Sequence, residues 1–299
     1  MAAMSTWLCH LGSPILLPLF NNIFQDLIDV YVVVYLGDIM SFPKSKEEHV
    51  THLSAVLSRL RANTLFAKAS KCLSHVSSVE YLGYVVSYEG FKMDQAKFQK
   101  ILNWPPPRNL KALQYFLGFA NFYCRLIKNY SKKISSITSF LKKDSCFPLN
   151  EESLSQLHQL KEAFTTSPIL SHFDASLPTI VEANASNYAL GSVLSQVSDL
   201  GKHPIAFGSR KHISEELTYE IHDKEPLGIV WALKCLRAFL VSLSSPFEVL
   251  TNHSFLQYFM SSKVLTRCQA FWAEFLSEFH FSITYHPGRL ATLPDALSR

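Results

Sequence analysis

Three apolar, strand-like runs in this chain end at positions where a carboxylate would do metal chemistry, and most of the carboxylates are missing. Residues 31–40 read Tyr-Val-Val-Val-Tyr-Leu-Gly-Asp-Ile-Met, so apolar residues flank a turn with one acid, Asp38, beside Gly37. Val181-Glu182-Ala183-Asn184-Ala185-Ser186 and Val249-Leu250-Thr251-Asn252-His253 each end in an asparagine where a metal-binding aspartate would make chemical sense. Phosphoryl chemistry with two divalent cations about 4 Å apart needs both the attacking and the leaving oxygen stabilised. Magnesium asks for hard, charged oxygen ligands in octahedral geometry. The sequence keeps the frame of such sites and lacks much of their charge.

The elements that would carry these residues follow from periodicity. An apolar, β-branched run over 28–36 predicts a buried strand. Val50, Leu53, Val56, Leu57 and Leu60 predict a helix over 45–61, and residues 80–87 and 91–93, split by Glu89-Gly90, a hairpin. His49 and His52 sit three apart on that helix; with no third ligand in reach they read as packing or surface residues. Trp104-Pro105-Pro106-Pro107 is a stiff break, because proline fixes φ and lacks the amide donor. Asn109 can then cap a helix to about Tyr123, on which Phe116, Phe119 and Tyr123 share one face and read as core. Further helices are expected near 131–142 and 151–166. From about Ile169 the expected strands lie near 178–184, 189–196, 203–208, 246–251 and 279–285, and the helices near 215–241, 253–261 and 266–277. This order predicts a mixed sheet covered by helices.

Composition sets the class. With 299 residues, 48% hydrophobic and 17% charged, the chain can bury about two cores. Its six cysteines form no CxxC pair, which argues for reduced thiols in the cytoplasm or nucleus. No apolar run approaches the roughly 18–20 residues needed to span a bilayer, and Ile15-Leu16-Leu17-Pro18-Leu19-Phe20 lacks the basic flank of a signal peptide. The expectation is no secretion and no membrane. Charge is unevenly placed: from Lys92 to Lys143 eleven Lys or Arg face one acid, Asp94, a net of +10, while the remainder nets −6. A basic block of this kind is the footprint of a phosphate-facing surface, and Lys111, Arg125, Lys128, Lys132 and Lys133 are its candidate nucleic-acid contacts.

Six segments in order resemble the Pol polyprotein of gypsy-type LTR retrotransposons. They are Val33-Val34-Tyr35-Leu36-Gly37-Asp38-Ile39, Val79-Glu80-Tyr81-Leu82-Gly83-Tyr84-Val85, Phe116-Leu117-Gly118-Phe119-Ala120-Asn121-Phe122-Tyr123, Ala206-Phe207-Gly208-Ser209-Arg210-Lys211, Tyr219-Glu220-Ile221-His222-Asp223-Lys224-Glu225 and Pro294-Asp295-Ala296-Leu297-Ser298-Arg299. The resemblance implies an α/β (α+β) chain with a truncated reverse transcriptase palm over 1–104 and thumb or connection-like helices over 105–148. A ribonuclease H-like domain with a mixed five-stranded sheet would follow over 149–299. The inherited role would be RNA-directed DNA synthesis with hydrolysis of RNA in RNA–DNA hybrids, using Mg2+ or Mn2+.

Carried over residue by residue, the resemblance exposes two damaged sites. The polymerase motif Tyr-x-Asp-Asp maps to Tyr35, Leu36, Gly37 and Asp38, so Gly37 replaces the principal ligand and one carboxylate cannot hold two metals. The ribonuclease set of three Asp and one Glu maps to Asn184, Glu225, Asn252 and Asp295, leaving Glu225 and Asp295 as retained acids. At an effective dielectric of 20 a unit charge pair at 4 Å is worth roughly 4 kcal/mol, so two amide replacements are expected to leave Mg2+ or Mn2+ at best weakly held. Pro226, next to Glu225, would kink an interior helix at a cost of about 3 kcal/mol. Glu182 and Asp223 receive no ligand role, and His286 is read as a turn residue. The expected protein is catalytically inactive and at most binds RNA–DNA hybrid or other nucleic acid; a weak metal-dependent ribonuclease H, or a retroelement remnant with no selected role, are the alternatives.

Overall fold

The computed structural model describes residues 6–10, 17–28, 30–35, 38–41, 45–128, 130–142, 147–251 and 266–285. The chain forms two compact units, residues 1–94 and 95–299.

In the first unit, β1 (Thr6–His10), β2 (Val32–Tyr35), β3 (Asp38–Ser41) and β4 (Cys72–Val76) make an antiparallel sheet in the order β2-β3-β1-β4. Helices α1 (Leu17–Ile23) and α2 (Lys46–Ala62) accompany it. Phe20, Phe24, Val32, Ile39, Val56 and Leu60 form the core. The strand expected over 28–36 is shorter, because Leu27 and Ile28 belong to a series of tight turns continuing from α1. Helix α2 starts where Ser45 accepts from the Glu48 N–H at 3.1 Å, with acids in its first turn and Arg59 and Arg61 in its last, matching the helix dipole. Packing accounts for both histidines: His52 stacks on Tyr31 at 3.7 Å and His49 meets His75 edge-on at 4.3 Å. The expected hairpin is a three-stranded antiparallel sheet of β5 (Ser78–Tyr81), β6 (Tyr84–Ser87) and β7 (Gly90–Met93).

The second unit opens with α3 (Gln95–Leu102) and α4 (Leu110–Phe122), separated by the proline run. Asn109 caps α4 by accepting from the Ala112 N–H at 2.8 Å, and Phe116 and Tyr123 are buried, with Trp104 against Phe116. The single helix expected over 131–142 is instead two short ones, α5 (Tyr130–Lys133) and α6 (Ser135–Ser139). Serines and a threonine here spend hydroxyls on nearby carbonyls, Thr138 on Ser135 at 3.0 Å and Ser139 on Ser136 at 2.5 Å, in competition with a continuous helix. Both dock on the sheet edge: Ser131 N–H donates to Ser209 Oγ at 2.9 Å and Lys211 Nζ to Ser135 O at 3.0 Å. Helix α7 (Glu151–Thr165) follows, capped by Asn150.

Five strands, β8 (Thr179–Ala185), β9 (Ala189–Ser198), β10 (Gly201–Lys211), β11 (Phe247–Thr251) and β12 (Phe281–Tyr285), form one mixed sheet in the order β10-β9-β8-β11-β12. The first three run antiparallel; β11 is parallel to β8 and β12. The helix expected over 215–241 is divided into α8 (Ser214–Leu217) and α9 (Ile221–Leu240). Pro226 is therefore the sixth residue of α9, and the helix continues through it. With α10 (Arg267–Leu276), α9 packs on the sheet through Val181, Ala183, Ile229, Leu233, Val249 and Leu276. Gly208 on β10 makes that packing possible, since a Cβ there would meet Ser192 Oγ at 2.5 Å and Trp231 at 3.2 Å. Gly208→Ala is expected to cost about 1–3 kcal/mol through overpacking; an unchanged urea midpoint would contradict this.

Candidate functional site

Glu225 projects from the second turn of α9 and is 5% exposed; Asn184, one residue from the end of β8, is 3% exposed. The strand and helix meet closely here. One turn beyond Glu225, a Cβ at Gly228 would lie 3.4 Å from Ala185 Cβ and 3.6 Å from the Asn184 carbonyl carbon. At these ordinary van der Waals distances α9 packs directly on the strand end, and the Glu225 carboxyl meets the main chain at Ala185. Burial pushes that carboxyl up to about 7, and the Ala185 main-chain N–H opposes the shift. Asn184 Oδ1 is fully buried without a hydrogen-bond partner among the described residues. Lys224, beside Glu225, is buried as well.

Asn252 and Asp295, the other two positions of this set, lie outside the described residues, as does His286. The two acids given no ligand role have other partners: Glu182 pairs with Lys202, and Asp223 accepts from Gln269 Nε2 at 2.8 Å. Among the described residues no three His, Cys, Asp or Glu side chains form a metal-holding group. Glu225 and Asn184 supply one charge that burial disfavours and one neutral oxygen. That donor pair fits a two-cation centre poorly.

At the other damaged motif, Tyr35 and Asp38 face each other across β2 and β3, and Gly37 lies outside the described residues. Burial, then the nearby Asp38 charge, pushes the Tyr81 hydroxyl well above its usual range. Tyr35 and Tyr81 are thus both neighbours of this acid.

The five basic candidates divide. Lys111, Arg125 and Lys132 are exposed, while Lys128 and Lys133 are half-buried and line a cavity of about 760 Å³ with Leu126, Val193, Lys202 and Phe207. Desolvation lowers the Lys128 amine. On α4, Lys111, Tyr115, Gly118 and Phe122 are all exposed at helical spacing, with Arg125 just beyond. Tyr115 is 62% and Phe122 55% exposed, and a Cβ at Gly118 would meet nothing within 4 Å. This outward stripe alternates cation, aromatic and bare backbone. In the sequence this outward set is marked by its i, i+4, i+7, i+11 spacing, opposite the inward Phe116, Phe119 and Tyr123.

Comparisons with known proteins agree with this architecture. Residues 10–86 match the family model described as "Reverse transcriptase (RNA-dependent DNA polymerase)", and 149–249 match "RNase H-like domain found in reverse transcriptase". The Transposon Tf2-3 polyprotein of Schizosaccharomyces pombe is 36% identical over 282 residues, 93% of this chain and 21% of that protein. The Tf2-7 polyprotein of the same yeast is 35% identical over the same shares. The chain thus spans about a fifth of the length of the curated relatives it matches. In fold it is similar to the foamy viral protease-reverse transcriptase solved with double-stranded DNA, in the form labelled dRH, at a TM-score of 0.81, with 19% identity, covering 95% of this chain and 57% of that one. It is also similar to the foamy viral protease-reverse transcriptase solved with RNA/DNA hybrid, at 0.79 and 19% identity, covering 99% and 45%. No helix of the described residues is long and apolar enough to cross a membrane. From sequence motifs, family models and the Tf2 relatives together, the chain belongs to the gypsy-type LTR-retrotransposon Pol family, with a reverse transcriptase segment followed by a ribonuclease H-like one.

Proposed function

We propose that this chain binds RNA–DNA hybrid or duplex nucleic acid and does not itself polymerise DNA or cleave RNA. The observation that carries the binding is the exposed stripe of α4 with its flanking cations. Lysine and arginine supply phosphate neutralisation, Tyr115 and Phe122 offer flat faces to sugars and bases, and Gly118 lets the helix backbone come close. The similar foamy viral structures were solved with double-stranded DNA or RNA/DNA hybrid, which supports the same ligand class. Within this reading, 1–104 is a palm segment, 105–148 the thumb or connection-like helices and 149–299 the ribonuclease H-like domain, working in the cytoplasm or nucleus.

Catalytic silence follows from the donor chemistry. Two of the four ligand positions of the ribonuclease set, Asn184 and Asn252, carry amides and bring no charge. Mg2+ or Mn2+ is held weakly if at all, and among the described residues no three His, Cys, Asp or Glu side chains gather at either motif.

Binding is tested by fluorescence polarisation with a labelled hybrid at 50 mM salt. The unmodified chain should bind with a steep loss of affinity as salt rises, through counterion release. Lys111→Ala should reduce the salt slope by about one, and Tyr115→Ala with Phe122→Ala should weaken binding at least about tenfold. Equal losses from Lys71→Ala, outside the basic block, or absence of salt-sensitive binding, would contradict the reading.

A further inference from the structure

The face of the five-stranded sheet turned away from α9 carries a cavity that neither the metal motifs nor the α4 stripe uses. Leu194 and Ala206 pack with α9. Their alternate neighbours, the cross-strand pairs Val193–Phe207 and Ser195–Pro204, therefore show on the other face. A register shift between Pro204 and Ala206 keeps both pairs there despite the extra residue on β10. Leu126, Lys133 of α5 and Gln159 and Ala163 of α7 close over them and leave a space of about 760 Å³. Small-molecule sites run from roughly 300 to 1,000 Å³.

The lining is mostly aliphatic, with Leu126, Ala163, Pro168, Val193 and Pro204 beside Phe207. Its charges do not balance. Lys202 pairs with Glu182, which lies across from Val193 on the same face and is 4% exposed. Lys128 and Lys133 make no ion pair among the described residues. Burial lowers the Lys128 amine, the expected result where no anion answers a half-buried cation. Glu162, the acid on the wall, is exposed. Lys128, Lys133 and Lys202 against Glu162 and Glu182 leave one positive charge over. Ser195 adds a hydroxyl in the same lining; it is 3% exposed and its side chain makes no hydrogen bond among the described residues.

We propose that this cavity binds a monoanionic amphiphile of the fatty-acid class, with its carboxylate on Lys128 and Lys133 and its alkyl chain along the aliphatic wall. The ligand would supply the counter-charge the two amines lack and bury apolar surface at the same time. Lysine stems extend the apolar wall while their amines stay at its edge. Other chemistries fit less well. A nucleotide or polyphosphate carries two or more negative charges past two acids and sets polar groups against carbon. A neutral hydrocarbon leaves both amines unanswered. The site is independent of the nucleic-acid reading above.

The test is isothermal titration of the full chain with laurate, below its micelle concentration, and with uncharged dodecanol. Laurate should bind one to one, and dodecanol at least about tenfold more weakly. Lys128→Gln should weaken laurate about tenfold, and Ala163→Trp, which fills the space from α7, should remove binding. Thermal unfolding of each variant shows that it is folded. No laurate binding, dodecanol binding as tightly as laurate, or full laurate affinity in the Lys128→Gln chain would overturn the proposal. Displacement of laurate by saturating RNA–DNA hybrid would overturn it too, since it would assign the amines to the nucleic-acid interface.

Discussion

A chain carrying both Asn184→Asp and Asn252→Asp is expected to gain hydrolysis of the RNA strand of a hybrid, on the order of a hundredfold above either single variant. Each amide-to-carboxylate change adds a full charge where a dication would sit. At an effective dielectric of 20 that is worth roughly 4 kcal/mol at 4 Å, and about 1.4 kcal/mol is tenfold in affinity. The gain should exceed the product of the single effects, because two cations need the whole carboxylate cluster. The measurement is initial cleavage rate with magnesium and with manganese. Pro226 supplies the internal control. It follows Glu225 directly and removes one main-chain donor from the second turn of α9. If the double variant stays silent and Pro226→Leu rescues it, helix geometry at Glu225 is the larger defect, and the charge argument is wrong in its ranking.

Glu225 also predicts an unusual dependence of stability on pH. Its folded carboxyl titrates at about 7, against an ordinary value of 4.5, because burial disfavours the charged form. The native state therefore keeps a proton that the unfolded chain has already released. Between about pH 4.5 and 7 this group's contribution falls as pH rises, and above 7 the loss is complete. A shift of this size corresponds to about 3 kcal/mol. Glu225→Gln should unfold at higher urea than the unmodified chain at pH 8 and at nearly the same urea at pH 4.5. Glu216 acts in the opposite sense and lower down, since its depressed carboxyl loses its stabilising contribution as pH falls through the acid range. A Glu225→Gln chain with the same urea midpoint difference at both pH values would show that the carboxyl is not desolvated.

Much of the second unit was legible from sequence because its signals are local and periodic. The strand runs near 178–184, 189–196 and 246–251 alternate or saturate with apolar residues, and Asn109 announces the start of α4. What misled were competing local interactions. Serine and threonine hydroxyls divide α5 from α6, and α9 starts at Ile221 rather than 215. Long-range features were less visible. Nothing local says that α9 packs on Ala185, that His212 reaches back to Ser186, or that Lys128 and Lys133 turn into a cavity while Lys111 faces outward. Those depend on which strands become neighbours. At the candidate site, the loss of charge was readable residue by residue; the burial that raises Glu225 was not.

The most direct test of the whole account follows binding and cleavage together, in one sample of the unmodified chain with a doubly labelled RNA–DNA hybrid, 50 mM salt and magnesium or manganese. Polarisation reports the complex and gel analysis reports the RNA strand. The expected result is salt-sensitive binding with the RNA left intact over hours in either metal. Robust, metal-dependent cleavage that disappears with Glu225→Gln would contradict it, and would show that one buried glutamate, Asp295 and two amides suffice for catalysis.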